Sequence, residues 1–310
     1  MKTRLVDWLR KNRSLLLRVA GTVLAVVLIV VLVREGGWDE VLGALRQMSP
    51  ARLLISLILV LISRFFVSLR WHILLRSGNV NIPFSRSLAL TFTGLFANNF
   101  LPTTIGGDVV RLAGAMQLGY DRAVCLASIA ADRLMGALGN AFTLFFGLIP
   151  TLHTLGNGTA VQSIALSGWW SQAWRFVGRT FQTFVVWLSR PMALLGALAC
   201  TWGHMLCTVT TMYVLIEGLG GHVDFWLLAG LWSLTYFITL VPISINGYGV
   251  QELSLTFLLS SVGGLSTAVS LTVAVLIRAM YVGVSLGGAF FLPGILAAMN
   301  EKRGPGEPEG

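Results

Sequence analysis

Residues 98 to 114, NNFLPTTIGGDVVRLAG, place a proline, a glycine pair, an acid and a base inside an otherwise apolar stretch. Proline removes a backbone donor and glycine permits positive φ, so a helix stops and restarts there. The restarted helix directs unpaired N–H groups and the positive end of its dipole into the protein, which favours an anion. The candidate binding residues of this first break are Pro102, Gly106, Gly107, Asp108 and Arg111.

A second stretch, VPISINGYGVQELSLTF at residues 241 to 257, repeats this pattern. Pro242 precedes Gly247 by the same interval that separates Pro102 from Gly107, and a polar or acidic residue follows each glycine on a new helix. Paired interruptions in two halves of an apolar chain indicate an internal repeat with a binding site between the halves. We therefore predict that both breaks lie close together and form one polar cavity. The candidate residues of this second break are Pro242, Gly247, Gly249 and Glu252.

An arginine follows each break inside an apolar run, Arg133 in ADRLMG and Arg278 in IRAMYVG. A charge inside a membrane costs about 2.5 to 3.5 kcal/mol on insertion scales, so such residues are candidates for function by default. Together with Arg111 they can offer planar, bidentate donors to a phosphate. The acids that would hold these arginines in place, or titrate, are Asp108, Asp132 and Glu252.

Purely structural roles stay open for some of these charges. Asp108 can be the N-cap of a helix that begins at Val109, because aspartate is among the preferred N-cap residues. Arg278 can be held by Glu252 as a structural ion pair. Capping and pairing are both compatible with binding, so the sequence does not decide between them.

Two further pairs of charges are interpreted from their helical positions. Asp132 and Arg133 are adjacent and therefore about 100° apart on a helix, which makes them poor partners for each other. Arg64 and Arg70 flank FFVSL near a helix end, and we expect their long side chains to extend to the membrane interface. Neither Arg64 nor Arg70 is therefore predicted to belong to the site.

The composition identifies the environment in which these charges lie. The chain has 310 residues, of which 55% are hydrophobic and 11% charged, against roughly 25% charged in soluble domains. Its mean hydropathy of +0.78 indicates an integral membrane protein. The net charge of +9 comes from basic residues beside apolar runs, as the positive-inside bias requires, so nucleic acid is not an expected partner. The histidines and cysteines have no metal-ligand spacing, and we predict no metal, cofactor or catalytic residue.

Apolar runs long enough to cross a bilayer need about 20 residues. Non-helical backbone at membrane depth is tolerated only inside the protein or beside a wet cavity, so both breaks should face the bundle interior. The predicted fold class is an all-α, polytopic transmembrane helix bundle with two broken or re-entrant helix pairs, related as an inverted repeat. The predicted spans are 15–33, 53–69, 124–149, 192–216, 225–243 and 265–293, with shorter apolar pieces at 86–101 and 250–262.

The domain organisation follows from these runs. Residues 1–298 are predicted to form a single transmembrane domain, and residues 299–310 a disordered, Gly/Pro-rich polar tail. The tryptophan- and arginine-containing segment 168–190 is expected to lie along the membrane interface. Basic residues before the first span predict a multi-pass protein of the cell membrane with a cytoplasmic N-terminus. The oligomeric state is left open.

With these motifs in view, the chain resembles a flippase-like membrane protein family related to the transmembrane region of lysylphosphatidylglycerol synthases. The matching segments are RWHILL at 70–75, NFLPTTIGGDVVR at 99–111, ADRLMG at 131–136 and the later proline followed by GYGVQE ending at Glu252. The resemblance runs from about residue 15 to residue 296 and departs at ISIN, residues 243–246, where the family implies a turn richer in proline and glycine.

The resemblance implies a multi-span module that handles membrane lipids, and in the best-known relatives one that moves aminoacylated phospholipid between leaflets. Those relatives carry a soluble C-terminal synthase domain, which the short polar tail does not provide, so synthase activity is not expected. The leading hypothesis is a protein that binds an anionic or phosphate-bearing lipid headgroup and translocates a phospholipid or polyprenyl-phosphate-linked lipid. An intramembrane lipid-modifying enzyme with Asp108 or Glu252 as base, or an accessory scaffold subunit, is the alternative.

Overall fold

A computed structural model describes residues 48–101, 106–155, 190–241 and 244–291, together with Gly43, Arg46 and Pro293. Within these residues the chain is helical and contains no strand, which confirms the predicted all-α class. The α-helices are α1 Pro50–Ser77, α2 Phe84–Asn98, α3 Gly106–Gln117, α4 Arg122–Leu155, α5 Pro191–Gly218, α6 Phe225–Thr239, α7 Val250–Ser261 and α8 Thr267–Ser285. Two short 3-10 helices lie at Ile245–Gly247 and Leu286–Phe290.

Four of these helical segments are long and apolar enough to cross a membrane, by length and composition, within the part of the chain that the structure describes. They are Pro50–Ser77, Arg122–Thr154, Pro191–Gly218 and Thr267–Phe290. Helix α6 is apolar but has only 15 residues, so the span predicted at 225–243 ends early, at Thr239. The predicted span 15–33, the segment 168–189 and the tail 299–310 lie outside the described residues.

The helix lengths repeat between the two halves of the chain. Helices α1 and α5 both have 28 residues and begin with a proline. Helices α2 and α6 both have 15 residues, and α3 and α7 both have 12. An arginine-bearing apolar helix follows in each half, α4 in the first and α8 in the second. The order of elements is therefore the same on both sides of the central segment.

Helices α1 and α5 pack along each other in antiparallel orientation. Near the start of α1, Arg52 Nη1 donates to the Glu217 carbonyl at the end of α5 over 3.1 Å. Near the end of α1, Arg70 Nη1 donates to Thr201 Oγ1 over 3.2 Å. Because the two halves are joined by equivalent helices that run in opposite directions, their arrangement has the orientation that an inverted repeat requires.

Each half of the bundle has its own apolar core. The first half packs around fully buried Trp71, Leu75 and Ile82, and the second around Met212 and Leu231. In a membrane, such packing stabilises the bundle through van der Waals contacts between side chains and not through transfer from water. The two cores leave polar residues at the places where the broken helices enter the bundle.

The breaks lie where the proline and glycine pattern predicts them. Helix α2 ends at Asn98 and α3 begins at Gly106, while α6 ends at Thr239 and α7 begins at Val250. Pro102 and Pro242 lie outside the described residues. In the first break, a Cβ on Gly107 would lie 2.3 Å from the Gly94 carbonyl oxygen, so only glycine allows α2 and α3 to approach this closely.

The second break differs from the expected turn. Gly247 (φ 70°) belongs to a 3-10 helix and α7 begins three residues later, so the polar residue does not follow this glycine directly on a new helix. Gly249 also has positive φ, at 79°. Asn246 adopts φ 49°, a left-handed conformation that asparagine tolerates better than most residues. Asparagine thus takes the place of a further glycine in the ISIN segment.

Candidate functional site

Five charged side chains from three helices meet behind the first break. Asp132 is held by two arginines: Arg70 Nε donates to its Oδ1 over 2.7 Å, and both Nη atoms of Arg111 donate to its Oδ2 over 3.2 Å. Asp108 is also held by two arginines, Arg111 at 3.2 Å and Arg133 at 2.5 Å. Among the residues that the structure describes, three arginines therefore face two carboxylates, an excess of one positive charge.

These side chains line a cavity of about 200 Å³ between the two halves of the bundle. Asp132 is 3% exposed and Arg111 6%, so these two charges lie inside the protein. Amide, imidazole, phenol and indole groups complete the polar part of the wall. The polar and aromatic lining residues are Arg70, Thr91, Asn98, Asp108, Arg111, Asp132, Arg133, Asn140, His204, Trp232 and Tyr236.

Arg111 is oriented by its surroundings and retains an unused donor. The central carbon of its guanidinium lies 4.1 Å from the centre of the Trp71 ring, whose own Nε1 donates to Ser128 Oγ over 3.1 Å. A planar guanidinium stacked on an indole is fixed in its plane. Its buried Nε has no hydrogen-bond partner among the described residues. An unsatisfied buried donor costs about 1 to 3 kcal/mol, and an anion in the cavity would relieve that cost.

The start of α3 does not leave all its N–H groups for a ligand. The Gly107 N–H donates to Asn98 Oδ1 over 2.6 Å, so a side chain from the end of α2 satisfies it. Asp108 is the third residue of α3 and not its N-cap, and the alternative that placed the helix start at Val109 is wrong. The Asp108 carboxylate accepts hydrogen bonds from Arg111 and Arg133 instead of from the N–H groups at the helix start.

The second break carries a smaller, closed cluster of polar groups. Arg278 Nε donates to a Glu252 oxygen, and Arg278 Nη2 donates to the Gly247 carbonyl over 3.3 Å. The other Glu252 oxygen accepts from the Gly249 N–H over 2.6 Å, which satisfies the start of α7. The Arg278 guanidinium also lies 4.8 Å from the centre of the Tyr248 ring. The structural pairing of Arg278 with Glu252 is therefore observed.

The two ion pairs occupy equivalent positions in the repeat. Asp108 and Glu252 are each the third residue of a 12-residue helix. Arg133 and Arg278 are each the twelfth residue of the helix that follows, and each donates through Nε to its acid. The repeat seen in the helix lengths thus extends to individual side chains.

The two breaks touch through a hydrogen bond. Tyr248 Oη in the second break donates to Asn99 Oδ1, next to the end of α2, over 3.0 Å, and Asn99 Nδ2 donates to Ser285 Oγ over 2.7 Å. The predicted residues nevertheless fall into two groups. Those that line the cavity are Gly107, Asp108, Arg111, Asp132 and Arg133. Those in or beside the second cluster are Gly247, Gly249, Glu252 and Arg278. Gly106 instead packs against Leu101.

Arg70 is the principal site residue that the sequence interpretation missed. It is 8% exposed and pairs with Asp132 inside the bundle, so the expectation that it extends to the interface is wrong. Arg64 also stays within the bundle, with its guanidinium 3.9 Å from the centre of the Tyr281 ring. An ionisable residue within an apolar span is a functional candidate by default, and this rule could have identified Arg70 from the sequence. The adjacent residues Asp132 and Arg133 bind different partners, as their helical angle predicts.

Several apolar spans, repeated broken helices and a buried arginine-lined cavity define a polytopic α-helical membrane protein. A family model described as the lysylphosphatidylglycerol synthase TM region matches residues 18–288. The chain belongs to this family of lysylphosphatidylglycerol synthase transmembrane regions.

The similarity to curated proteins is more limited. A UPF0104 membrane protein of Methanothermobacter thermautotrophicus is 30% identical over 130 residues, which are 41% of this chain and 36% of the relative. A UPF0104 membrane protein of Pyrococcus horikoshii is 22% identical over 119 residues, which are 37% of this chain and 36% of the relative. The matched part of the chain therefore spans about a third of the length of each relative.

Proposed function

We propose that the protein binds the phosphate-bearing headgroup of a membrane lipid in the cavity lined by Arg70, Arg111 and Arg133, and moves that lipid between the leaflets. The observation that carries this proposal is the charge of the cavity, in which three arginines face two carboxylates. An excess of positive charge in a largely buried cavity is unfavourable. An anion supplied by the lipid would compensate it.

The arginines can bind either the carboxylates of the protein or the phosphate of a lipid. Asp108 and Asp132 hold the guanidinium groups of the three arginines. A phosphate that enters the cavity can accept two parallel hydrogen bonds from a guanidinium group, as a carboxylate does. Arg111 can add its free Nε to that contact. Because the exchange replaces one set of charge-assisted hydrogen bonds with another, neither state is trapped, and the headgroup can enter and leave.

The size of the cavity limits what it holds. A volume of about 200 Å³ is below the 300 to 1,000 Å³ that is typical of sites for drug-sized ligands. The cavity therefore suits a headgroup and not a whole lipid, whose hydrocarbon chains must stay outside it. This is the arrangement expected of a lipid translocator, which shields only the polar part of its substrate from the membrane core.

The broken helices supply the elements that can move. Secondary transporters built as inverted repeats bind substrate where discontinuous helices meet and alternate access by rocking one repeat against the other. In this protein the corresponding elements are α2 with α3 and α6 with α7, which contact each other through Asn99 and Tyr248. We further propose that the protein lies in the cell membrane with a cytoplasmic N-terminus, on the basis of the basic residues before the first apolar run.

A scaffold is the second candidate function, favoured by the observation that each carboxylate of the cluster already contacts two arginines. In that case the charges only fasten α1, α3 and α4 to one another. An intramembrane enzyme that acts on the same lipid would use the same cavity. The experiment must therefore separate binding, movement and chemical change of the lipid.

The test uses purified protein in phosphatidylcholine vesicles that contain labelled phosphatidic acid, whose headgroup is a single phosphate. Arg111→Gln should weaken retention of phosphatidic acid by about 10-fold or more, because a charge-assisted hydrogen bond contributes about 1.5 to 3 kcal/mol. Arg111→Lys keeps the charge without the planar fork and should also lose much of the binding and transport. Arg86→Gln, at an exposed arginine outside the cavity, is the matched control.

Three measurements distinguish the candidates. Native mass spectrometry reports lipid retained by the protein, a leaflet-specific quencher reports movement, and thin-layer chromatography reports chemical change. Unchanged retention and movement in Arg111→Gln would refute the lipid proposal and leave the scaffold. A new lipid species that forms with the wild-type protein and not with Arg111→Gln would establish the enzyme instead.

A further inference from the structure

An apolar groove lies next to the charged cavity and has no role in the function proposed so far. It has a volume of about 420 Å³ and is formed by α4, α5 and α6. Its wall is almost entirely hydrocarbon and aromatic, with Phe142, Trp202, Leu206, Val209, Phe225 and Trp226 as the main contributors. Phe142 is 62% exposed and Leu206 59%, so the groove opens on the outer surface of the described bundle.

The groove continues the cavity along the same three helices. On α4 the cavity is lined by Asn140 and the groove by Thr143, about one turn further on. On α6 the cavity is lined by Trp232 and the groove by Ala229. On α5, His204 faces the cavity, while its neighbours on both sides line the groove. The cavity and the groove are therefore neighbours on all three helices, with only a few residues of each helix between them.

A short polar ladder marks the boundary between the two. Ser233 Oγ donates to Asn140 Oδ1 over 3.3 Å and is hydrogen-bonded to Thr143 Oγ1 at 2.6 Å. These buried groups are satisfied by one another, so the polar wall ends here in a closed set of hydrogen bonds. The surface changes from charged to polar to apolar in the order in which a lipid changes from phosphate to ester to hydrocarbon.

Close helix contacts lie on either side of the groove residues of α4. A Cβ on Gly139 would lie 2.3 Å from Thr201 Cγ2, and a Cβ on Gly147 would lie 2.3 Å from the carbonyl carbon of Gly230. Helix α4 thus touches α5 at one level and α6 about two turns further on. Phe142 and Thr143, which line the groove, lie between these two contacts on α4. From Asp132 to Phe142 the rise along α4 is about 15 Å, at 1.5 Å per residue.

We propose that this groove holds a hydrocarbon chain of the same lipid whose phosphate occupies the cavity. This inference rests on the proposed function and deepens it, because it makes the substrate a phosphate and a long chain in one molecule. A free phosphate or a soluble phosphate ester fills only the cavity. A lipid without phosphate has no anchor, and it meets the groove only as any membrane lipid does.

Photo-crosslinking tests whether the chain in the groove is tethered by the headgroup. The probe is phosphatidic acid with a diazirine in the middle of one acyl chain, in phosphatidylcholine vesicles that contain the full-length protein. We expect cross-links near Leu206, and a decrease of about 10-fold there in Arg111→Gln, the smallest effect expected from loss of a charge-assisted hydrogen bond. Cross-links near Leu195, equally exposed at 59% but outside the groove, should not change and serve as the internal control.

A second pair of variants fills the groove and leaves the cavity intact. Leu206→Trp occupies groove volume, while Leu195→Trp adds the same side chain elsewhere on α5. We expect Leu206→Trp to reduce retention of phosphatidic acid by about 10-fold, close to the loss in Arg111→Gln, and to leave binding of glycerol 3-phosphate unchanged. Leu195→Trp should match the wild type. Diacylglycerol with the same diazirine should give no cross-link near Leu206 above the level near Leu195.

The outcomes separate failure of this inference from failure of the proposed function. If cross-links near Leu206 persist in Arg111→Gln while phosphatidic acid retention falls, the groove holds ordinary membrane lipid and only this inference is overturned. Normal retention in Leu206→Trp overturns it in the same way. If Arg111→Gln retains phosphatidic acid as the wild type does, the headgroup site itself is wrong.

Discussion

Each half of the molecule contains an equivalent ion pair, but the residues that surround the two pairs differ. Asp108 with Arg133 and Glu252 with Arg278 join equivalent positions of the short helix and the long helix that follows. In the first half, three more charges extend the pair into a network beside a cavity. At the equivalent helix positions the second half has buried, uncharged residues: Arg70 corresponds to Thr211, Arg111 to Leu255 and Asp132 to Ile277.

This difference separates the structural role of a broken helix from its role in binding. In the second half, Glu252 neutralises Arg278 and caps α7, so the pair closes the break without leaving charge for a ligand. In the first half, an amide side chain caps α3 at Gly107, and the acid is free to bind arginines. The ion pair is therefore common to both halves, and the additional charges distinguish the first half, in which we propose the binding site.

The largest expected effect is the loss of Asp132, because this carboxylate holds Arg70 and Arg111 together. In Asp132→Ala two buried arginines lose their shared acid, and breaking a buried pair costs about 3 to 5 kcal/mol. We expect a decrease of that size in the free energy of unfolding in detergent. Glu217→Ala is the control, because its contact with His222 is on the surface and surface pairs contribute about 0 to 1 kcal/mol. Equal stability of the two variants would contradict the network.

The second prediction concerns a variant in which three charged residues of the first half are replaced by the residues at the equivalent positions of the second half. The triple variant Arg70→Thr, Arg111→Leu, Asp132→Ile removes the additional charges together and leaves Asp108 with Arg133 in place. Replacing a buried ionic cluster with apolar residues is often neutral or stabilising, so we expect a folded protein. Its retention of phosphatidic acid should be at least about 10-fold lower than that of the wild type. Normal lipid retention in this variant would show that the additional charges are not the site.

The broken helices could be predicted closely because their signals are local. The apolar piece 250–262 corresponds to α7, Val250–Ser261, and the piece 86–101 to α2, Phe84–Asn98. Proline, glycine and the residues beside them determine where a helix ends, whatever the rest of the chain does. Asp108 and Arg111 are three residues apart, so local spacing also places them one turn apart on α3.

The composition of the cavity could not be predicted in the same way. Arg70 contacts Asp132, 62 positions away, only because α1 packs on α4 with the correct face and height. Asn98 caps Gly107 across a break whose path no local pattern specifies. The length of the second break is also not encoded in the interval from Pro242 to Gly247, because a 3-10 turn precedes α7. These features depend on tertiary packing, which sequence spacing alone does not give.

The third prediction concerns the uncharged version of the second pair. Glu252→Gln with Arg278→Gln removes both charges, so no unpaired charge remains buried, and we expect a folded protein. Neither residue lines the cavity, so retention of phosphatidic acid should stay within about 2-fold of the wild type. Loss of one charge-assisted hydrogen bond to the lipid would instead reduce retention by about 10-fold. Movement of labelled lipid should nevertheless be lost, since the second break no longer holds one conformation. Transport at the normal rate would show that the second pair is purely structural.

The smallest expected effect is on the contact that joins the two breaks. Tyr248→Phe removes the hydrogen bond from Tyr248 Oη to Asn99 Oδ1, which contributes about 0.5 to 1.5 kcal/mol. If the halves move against each other at this contact, the variant should keep its lipid affinity and change the rate of movement by up to about 10-fold, the ratio that 1.4 kcal/mol gives. The matched control is Tyr213→Phe, whose ring packs on Phe225 in the second half, away from both breaks. A quencher assay in vesicles measures the two rates. Identical rates in both variants would mean that the breaks do not move relative to each other during transport, and the comparison between the halves would then describe binding alone.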